Sequence, residues 1–229
     1  MKSFYTIILI LFALNSFSQS KLTNQNIFDT IPNIPWHQEE RLDIFNKEPK
    51  AMGGIVFLGN SITEGGDWKR LTGDSSVINR GIGGDITFST LKRLDEIIER
   101  QPIKLFLLIG INDIGKDIPE VVIADNIRKI IEVFKAKSPD TKIYLQTLLS
   151  VNPTVMGFPQ HYDKIDKVIN TNKLIRKVAS DTKVILVDLY PEFLNSKKLL
   201  DERFVSDGLH LTEAGYQHWV KFLKTKGYL

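Results

Sequence analysis

The sequence predicts an α/β fold, a three-layer α/β/α sandwich built on a central sheet of about five parallel strands. Two observations predict it. Short apolar, β-branched-rich runs recur at residues 55–58, 77–78, 103–109, 143–148 and 184–187, as strands buried on both faces require. Between them lie amphipathic stretches with helical spacing. A third observation concerns chemistry: the unusual polar and glycine-rich motifs fall where strand ends and loops meet helix N-termini, which is where such folds bind ligands.

Taken in order, the chain begins with Lys2, an uncharged and largely apolar run at 4–14, and the small residues Ser16 and Ser18. This is the pattern of a signal peptide over residues 1–18, cleaved before Gln19. The run is shorter than the ~20 apolar residues a membrane span needs, so no stable membrane insertion of the mature chain is expected. The protein is expected to be exported to the periplasm or beyond. Residues 19–52 hold Pro32, Pro35, Pro49 and a charged stretch, read as an N-terminal arm leading into a short helix. From residue 53 to 229 strands and helices alternate as one catalytic-sized domain. Leu91, Leu94, Ile97 and Ile98 share one helical face. Ile123, Ile127, Ile130, Ile131 and Phe134 share another, and Ile165, Val168, Ile169 and Ile175 a third. The last helix is expected from Thr212 to about Lys224, with Trp219, Phe222 and Leu223 inward.

The chain has 229 residues, 42% of them hydrophobic and 25% charged, enough for a sizeable core. The net charge of +3 with no basic block makes nucleic acid a poor partner. The absence of cysteine excludes disulfides, a thiolate nucleophile and cysteine-bound metal.

Four motifs carry possible chemistry. Gly59-Asn60-Ser61-Ile62-Thr63 puts a serine on a strand-to-helix turn, where its hydroxyl faces the cleft beside free backbone N–H groups; a serine there can equally be a helix cap. Asn79-Arg80-Gly81-Ile82-Gly83-Gly84-Asp85 lets backbone approach a ligand closely, or simply makes a tight turn. Gly110-Ile111-Asn112-Asp113 offers an uncharged amide donor suited to a developing oxyanion, or a capping Asn. Asp207-Gly208-Leu209-His210 supplies an imidazole base with a carboxylate to orient it; the alternatives are a loop or a metal-ligand pair, and no further His, Asp or Glu cluster at recognisable spacing completes a metal site.

The four blocks follow one another in the order of the SGNH (GDSL-type) hydrolases, and the sequence from about Gly53 to its end resembles that family. Through Asn79 to Asp85 and Trp68 it especially resembles the small-subunit type of platelet-activating-factor acetylhydrolase and its bacterial relatives. The resemblance implies a flavodoxin-like sheet and a triad of Ser61 as nucleophile, His210 as base and Asp207 as its orienter. It implies an oxyanion hole made of the Ser61 and Gly84 backbone N–H groups and the Asn112 side chain. No metal and no organic cofactor are implied. The expected activity is that of a secreted serine esterase hydrolysing short-chain carboxylic esters of small molecules or glycans, O-acetyl groups on carbohydrate foremost. The alternatives are a lysophospholipid or other lipid ester as substrate, or a glycan-binding module that retains the fold without catalysis.

Asn60 stands where the family usually has Asp, which removes a charge beside the nucleophile but can keep the turn's hydrogen bonds. His37 and His218 are read as structural. His161 is read the same way, although of the three it alone lies where substrate could touch it; the irregular stretch 150–160, with Met156, Gly157 and Phe158, is read as part of a substrate wall.

Overall fold

The computed structural model describes residues 35–229; the expected signal peptide and the first part of the arm lie outside the described residues. Five strands, β1 (Ile55–Gly59), β2 (Val77–Gly81), β3 (Lys104–Leu108), β4 (Lys142–Gln146) and β5 (Ile185–Val187), pair in parallel in the order β2-β1-β3-β4-β5. The helices are α1 (Pro35–Lys47), α2 (Ser61–Glu64), α3 (Trp68–Thr72), α4 (Thr87–Leu91), α5 (Asp95–Ile98), α6 (Ile111–Gly115), α7 (Glu120–Lys137), α8 (Ile165–Thr182) and α9 (Glu213–Thr225). The expected α/β sandwich is therefore present. In this strand order the connections from β1 and β3 leave in opposite directions, opening a crevice at their carboxyl ends.

Register explains the core. Phe57 of β1 lies opposite Phe106 of β3, which lies opposite Tyr144 of β4, and their rings stack at 4.7 and 4.6 Å. Trp68 of α3 stacks on Phe57 at 4.0 Å, and Trp219 of α9 meets Trp68 edge-on at 4.9 Å. Each such pair contributes about 0.5–1.5 kcal/mol beyond its burial. Val56, Leu58, Leu105 and Leu107, one residue out of phase, project to the opposite face and are equally buried. Ile123, Ile127, Ile130, Ile131 and Phe134 form the buried stripe of α7, which packs along α8.

Several expectations need correction. The face through Leu91, Leu94, Ile97 and Ile98 belongs to two short helices, α4 and α5, not one. The chain tightens between them, with i→i+3 bonds from Lys92 and Arg93, as Arg93 turns its buried guanidinium toward Asp85. β5 is an edge strand, so Ile185 is exposed rather than covered on both faces, and Ile103 lies exposed just ahead of β3. Ile165 and Ile169 are only half-buried, as is Phe222, whose ring instead carries the Lys226 ammonium at 5.6 Å.

The described part of the arm is docked on the sheet's β2 edge. Phe45 of α1 is buried beneath the Arg80 guanidinium, 4.3 Å from its ring. Arg80, itself fully buried, donates to Glu48 at 2.7 Å and to Glu96 at 2.9 Å. A buried charge this well paired is costly to disrupt from one side, typically about 3–5 kcal/mol.

Candidate active site

At the end of β1 the backbone of Asn60 is extended, and its Oδ1 accepts the Ile62 N–H at 3.0 Å to cap α2. Because Asn60 does the capping, Ser61 is the first helical residue and its hydroxyl is left for another partner. Ser61 Oγ lies 2.9 Å from His210 Nε2. Asn60 thus keeps the turn's hydrogen bond, while its buried Nδ2 finds no partner among the described residues, a cost of about 1–3 kcal/mol.

The far end of α2 is pinned by side chains from three directions. Tyr216 donates to Ile62 O at 2.9 Å, Trp68 Nε1 to Thr63 O at 2.8 Å, and Asn79 Nδ2 to Glu64 O at 2.9 Å. Burial pushes the Tyr216 phenol well above its ordinary range, so it remains a donor. A Cβ on Gly81 would sit 2.1 Å from Glu64 N, so only glycine lets β2 end against α2.

His210 lies on the loop before α9. Its Nδ1 is 2.8 Å from Asp207 Oδ2, while Asp207 Oδ1 accepts the backbone N–H groups of His210 at 2.8 Å and Leu209 at 3.1 Å. Burial raises the Asp207 carboxyl, but these three bonds outweigh it and hold the group below the usual carboxylate range. With the Nδ1 proton facing Asp207, Nε2 is left as an acceptor for the Ser61 hydroxyl. The intervening Gly208 has φ +87 and is packed under the 150–160 stretch, where a Cβ would lie 2.4 Å from Val155 O. From the same stretch Phe158 meets the His210 ring edge-on at 4.7 Å.

The turn after β2 carries Gly84 at φ +75. Downstream it is anchored at Asp85, whose carboxylate pairs with Arg93 at 2.7 Å and accepts Thr90 Oγ1 at 2.9 Å. Arg93 also donates to Gly59 O at 3.0 Å, and Asn112 Nδ2 donates to Asp85 O at 2.9 Å. That bond uses one of the two Asn112 amide protons. The ends of β1, β2 and β3 are therefore laced together where Ser61, Gly84 and Asn112 emerge. Next to Asn112, the fully buried Asp113 accepts Thr87 N–H and O–H at the start of α4; burial pushes its carboxyl up to about 7 against the pull of those bonds.

The structure thus brings Ser61, His210 and Asp207 into one hydrogen-bonded chain and joins Asn112 to the turn bearing Gly84. Two further histidines have defined surroundings. His37 is not a bystander: its Nε2 is 3.0 Å from Glu64 Oε2, beside Gly83. His161 is buried behind Gly115 and Phe158, and burial lowers its pKa. Within the 150–160 stretch Phe158 meets the His210 ring and Gly157 packs against Asp207. The partners of Asn79 and Glu64 carried no signal in the spacing. Among the described residues no three His, Asp or Glu side chains converge as a metal site.

The sequence matches the GDSL-like Lipase/Acylhydrolase family over residues 57–218. It is 27% identical to the platelet-activating factor acetylhydrolase IB subunit alpha2 of Rattus norvegicus, over 79% of this chain and 76% of that protein. Among solved structures it is similar to a Streptococcus pneumoniae protein provisionally named a platelet activating factor, with a TM-score of 0.76 and 29% identity over 92% of this chain and 98% of that one. A GDSL-like lipase of Bacteroides thetaiotaomicron aligns with a TM-score of 0.70 and 25% identity over 83% of this chain and 98% of that one.

Proposed function

Because the chain belongs to the GDSL-like lipase/acylhydrolase family and is a carboxylic ester hydrolase, we propose that it works through an acyl-serine intermediate on Ser61 and prefers short acyl groups, acetyl foremost. The observation that carries this is the continuous chain from Ser61 Oγ through the His210 imidazole to the Asp207 carboxylate.

As Ser61 Oγ bonds to the ester carbonyl carbon, its proton passes to His210 Nε2, and Asp207 stabilises the imidazolium that forms. The carbonyl oxygen takes the negative charge. The N–H of Ser61, in the first helical turn where N–H groups have no intrahelical acceptor, the N–H of Gly84 and the remaining Asn112 amide proton are the donors for it. Collapse breaks the ester C–O bond, and the imidazolium protonates the departing alcohol. Water then repeats the sequence on the acyl-serine, releasing the acid and restoring the Ser61 hydroxyl.

The acetyl preference is supported by the acetylhydrolase name of the curated relatives. A carbohydrate alcohol is supported by the export pattern at residues 1–18, which directs the chain to where polysaccharide is met. A lipid ester is the second reading, favoured by Met156, 86% exposed on the stretch that brings Phe158 to His210.

Nitrophenyl esters from acetate through butyrate to octanoate, followed by acetylated sugars against lysophospholipids, test the proposal. The acetyl reading predicts kcat/KM falling along the acyl series. A preference rising with chain length overturns it in favour of the lipid ester.

A further inference from the structure

We infer that Glu64 is a positioning residue for oxyanion stabilisation, tying the turn at Gly83 and Gly84 to the nucleophile's helix, and that α1 contributes to catalysis by holding that carboxylate through His37 and Arg41. The inference rests on the reading of Ser61 as nucleophile and of Gly84 N–H as a donor to the oxyanion.

Two successive glycines leave the direction of the Gly84 N–H unspecified by the chain itself. It is fixed from both sides. Downstream, Asp85 is held by Arg93, Thr90 and Asn112. Upstream, Glu64 Oε2 accepts the Gly83 N–H, a bond strengthened by the acceptor's charge. Glu64 ends the helix that Ser61 begins, so this bond couples the attacking group to the oxyanion turn. The carboxylate itself is set by α1. His37 Nε2 lies 3.0 Å from Oε2 and 3.1 Å from Oε1, and Arg41 Nε lies 3.4 Å from Oε1 as an ion pair. Arg41 Nη2 also reaches Gly81 O at 3.4 Å. These side chains are each about one-fifth exposed, so the pairing is shielded from solvent. A Cβ on Gly83 would lie 3.2 Å from both Glu64 Oε2 and His37 Nε2, so a side chain there would have to push this pair aside.

The test compares Glu64→Ala, Glu64→Gln, His37→Ala and the Glu64→Ala/His37→Ala pair in the full chain. The readouts are nitrophenyl acetate kinetics and inhibition by a trifluoromethyl ketone, which gives a tetrahedral oxyanion on the serine. Glu64→Ala is expected to lower kcat about tenfold or more, short of the ~10²–10³ for loss of a whole donor, with KM within about twofold. The ketone's Ki should rise in proportion to the loss in kcat/KM. Glu64→Gln should be milder, since its amide oxygen can still accept the Gly83 N–H. His37→Ala should add nothing once Glu64 is gone. Folded Glu64 variants with wild-type kcat, or a fall in kcat with unchanged ketone affinity, overturn the inference. If Glu64→Ala does not fold, Glu64→Gln and His37→Ala decide it by the same two readouts. Ser61→Ala serves as the control for the underlying reading: hydrolysis persisting there defeats the nucleophile assignment, whereas an inactive Ser61→Ala beside wild-type Glu64 variants defeats the positioning role alone.

Discussion

Replacing Asp207 by Asn changes one atom and should stop the proton relay while leaving the loop intact. Asp207 Oδ1 accepts two backbone N–H groups, and Oδ2 faces His210 Nδ1. An asparagine can keep its oxygen on the two N–H groups or on the imidazole, but not on both. Turning the amide toward the imidazole sets an NH2 against two backbone donors, and each donor left unsatisfied costs about 1–3 kcal/mol. The oxygen therefore stays on the backbone, and the NH2 meets Nδ1. That makes Nδ1 an acceptor and forces the ring proton to Nε2, opposite Ser61 Oγ, where it blocks proton abstraction. An amide at this position of a serine triad costs about 10⁴ in kcat, or about 5 kcal/mol of transition-state stabilisation. Steady-state hydrolysis of nitrophenyl acetate measures it, with the melting temperature as a control expected to move little. A folded Asp207→Asn that retains kcat within tenfold of wild type would refute the tautomer argument.

Other perturbations probe the same frame. Asn112→Ala removes an oxyanion donor and should lower kcat about 10²- to 10³-fold with little change in KM; wild-type kcat would return Asn112 to a purely structural role on Asp85 O. Since Asp207 is held ionised below the usual range, the acid limb of log kcat/KM should follow a single ionisation with unit slope as His210 must be neutral to act, and EDTA should leave the rate unchanged. A slope of two, or activity lost to chelation and restored by zinc, contradicts this. Asp113 is raised to about 7 in the fold from an ordinary 3.8, so the folded state holds its proton more tightly than the unfolded one. Stability from this group is present below about pH 4 and is lost as pH rises through about 7. Urea titrations should show wild-type stability falling relative to Asp113→Asn across that window; parallel curves would contradict the assignment.

Much of the frame could be read from periodicity. The stripe from Ile123 to Phe134 predicted α7, and the apolar runs predicted every strand, because buried parallel strands and amphipathic helices leave local patterns. Ser61, Gly84, Asn112, Asp207 and His210 stood out because the four motifs that carry them follow one another in the order of the family they resemble; taken singly, each motif had a structural alternative. What stayed illegible depends on tertiary docking. His37 meets Glu64 across 27 residues because α1 lies against the β2 edge, and Gly83 meets Glu64 across 19 because β2 ends against α2. The separation of α4 from α5 is set by Arg93 reaching Asp85 and Gly59 O, which no helical period encodes. The exposure of Ile185 follows from strand order, not from the residues of the strand.

Covalent labelling bears most directly on Ser61 as the nucleophile. A fluorophosphonate, incubated with wild-type protein and with Ser61→Ala and followed by peptide mass mapping, should modify the wild type once, on the peptide carrying Ser61, with activity lost in step. Ser61→Ala should remain unlabelled, inactive and folded, since only a small hydroxyl is removed. Labelling that persists in Ser61→Ala, or an adduct mapping to another residue while activity disappears, would contradict the account.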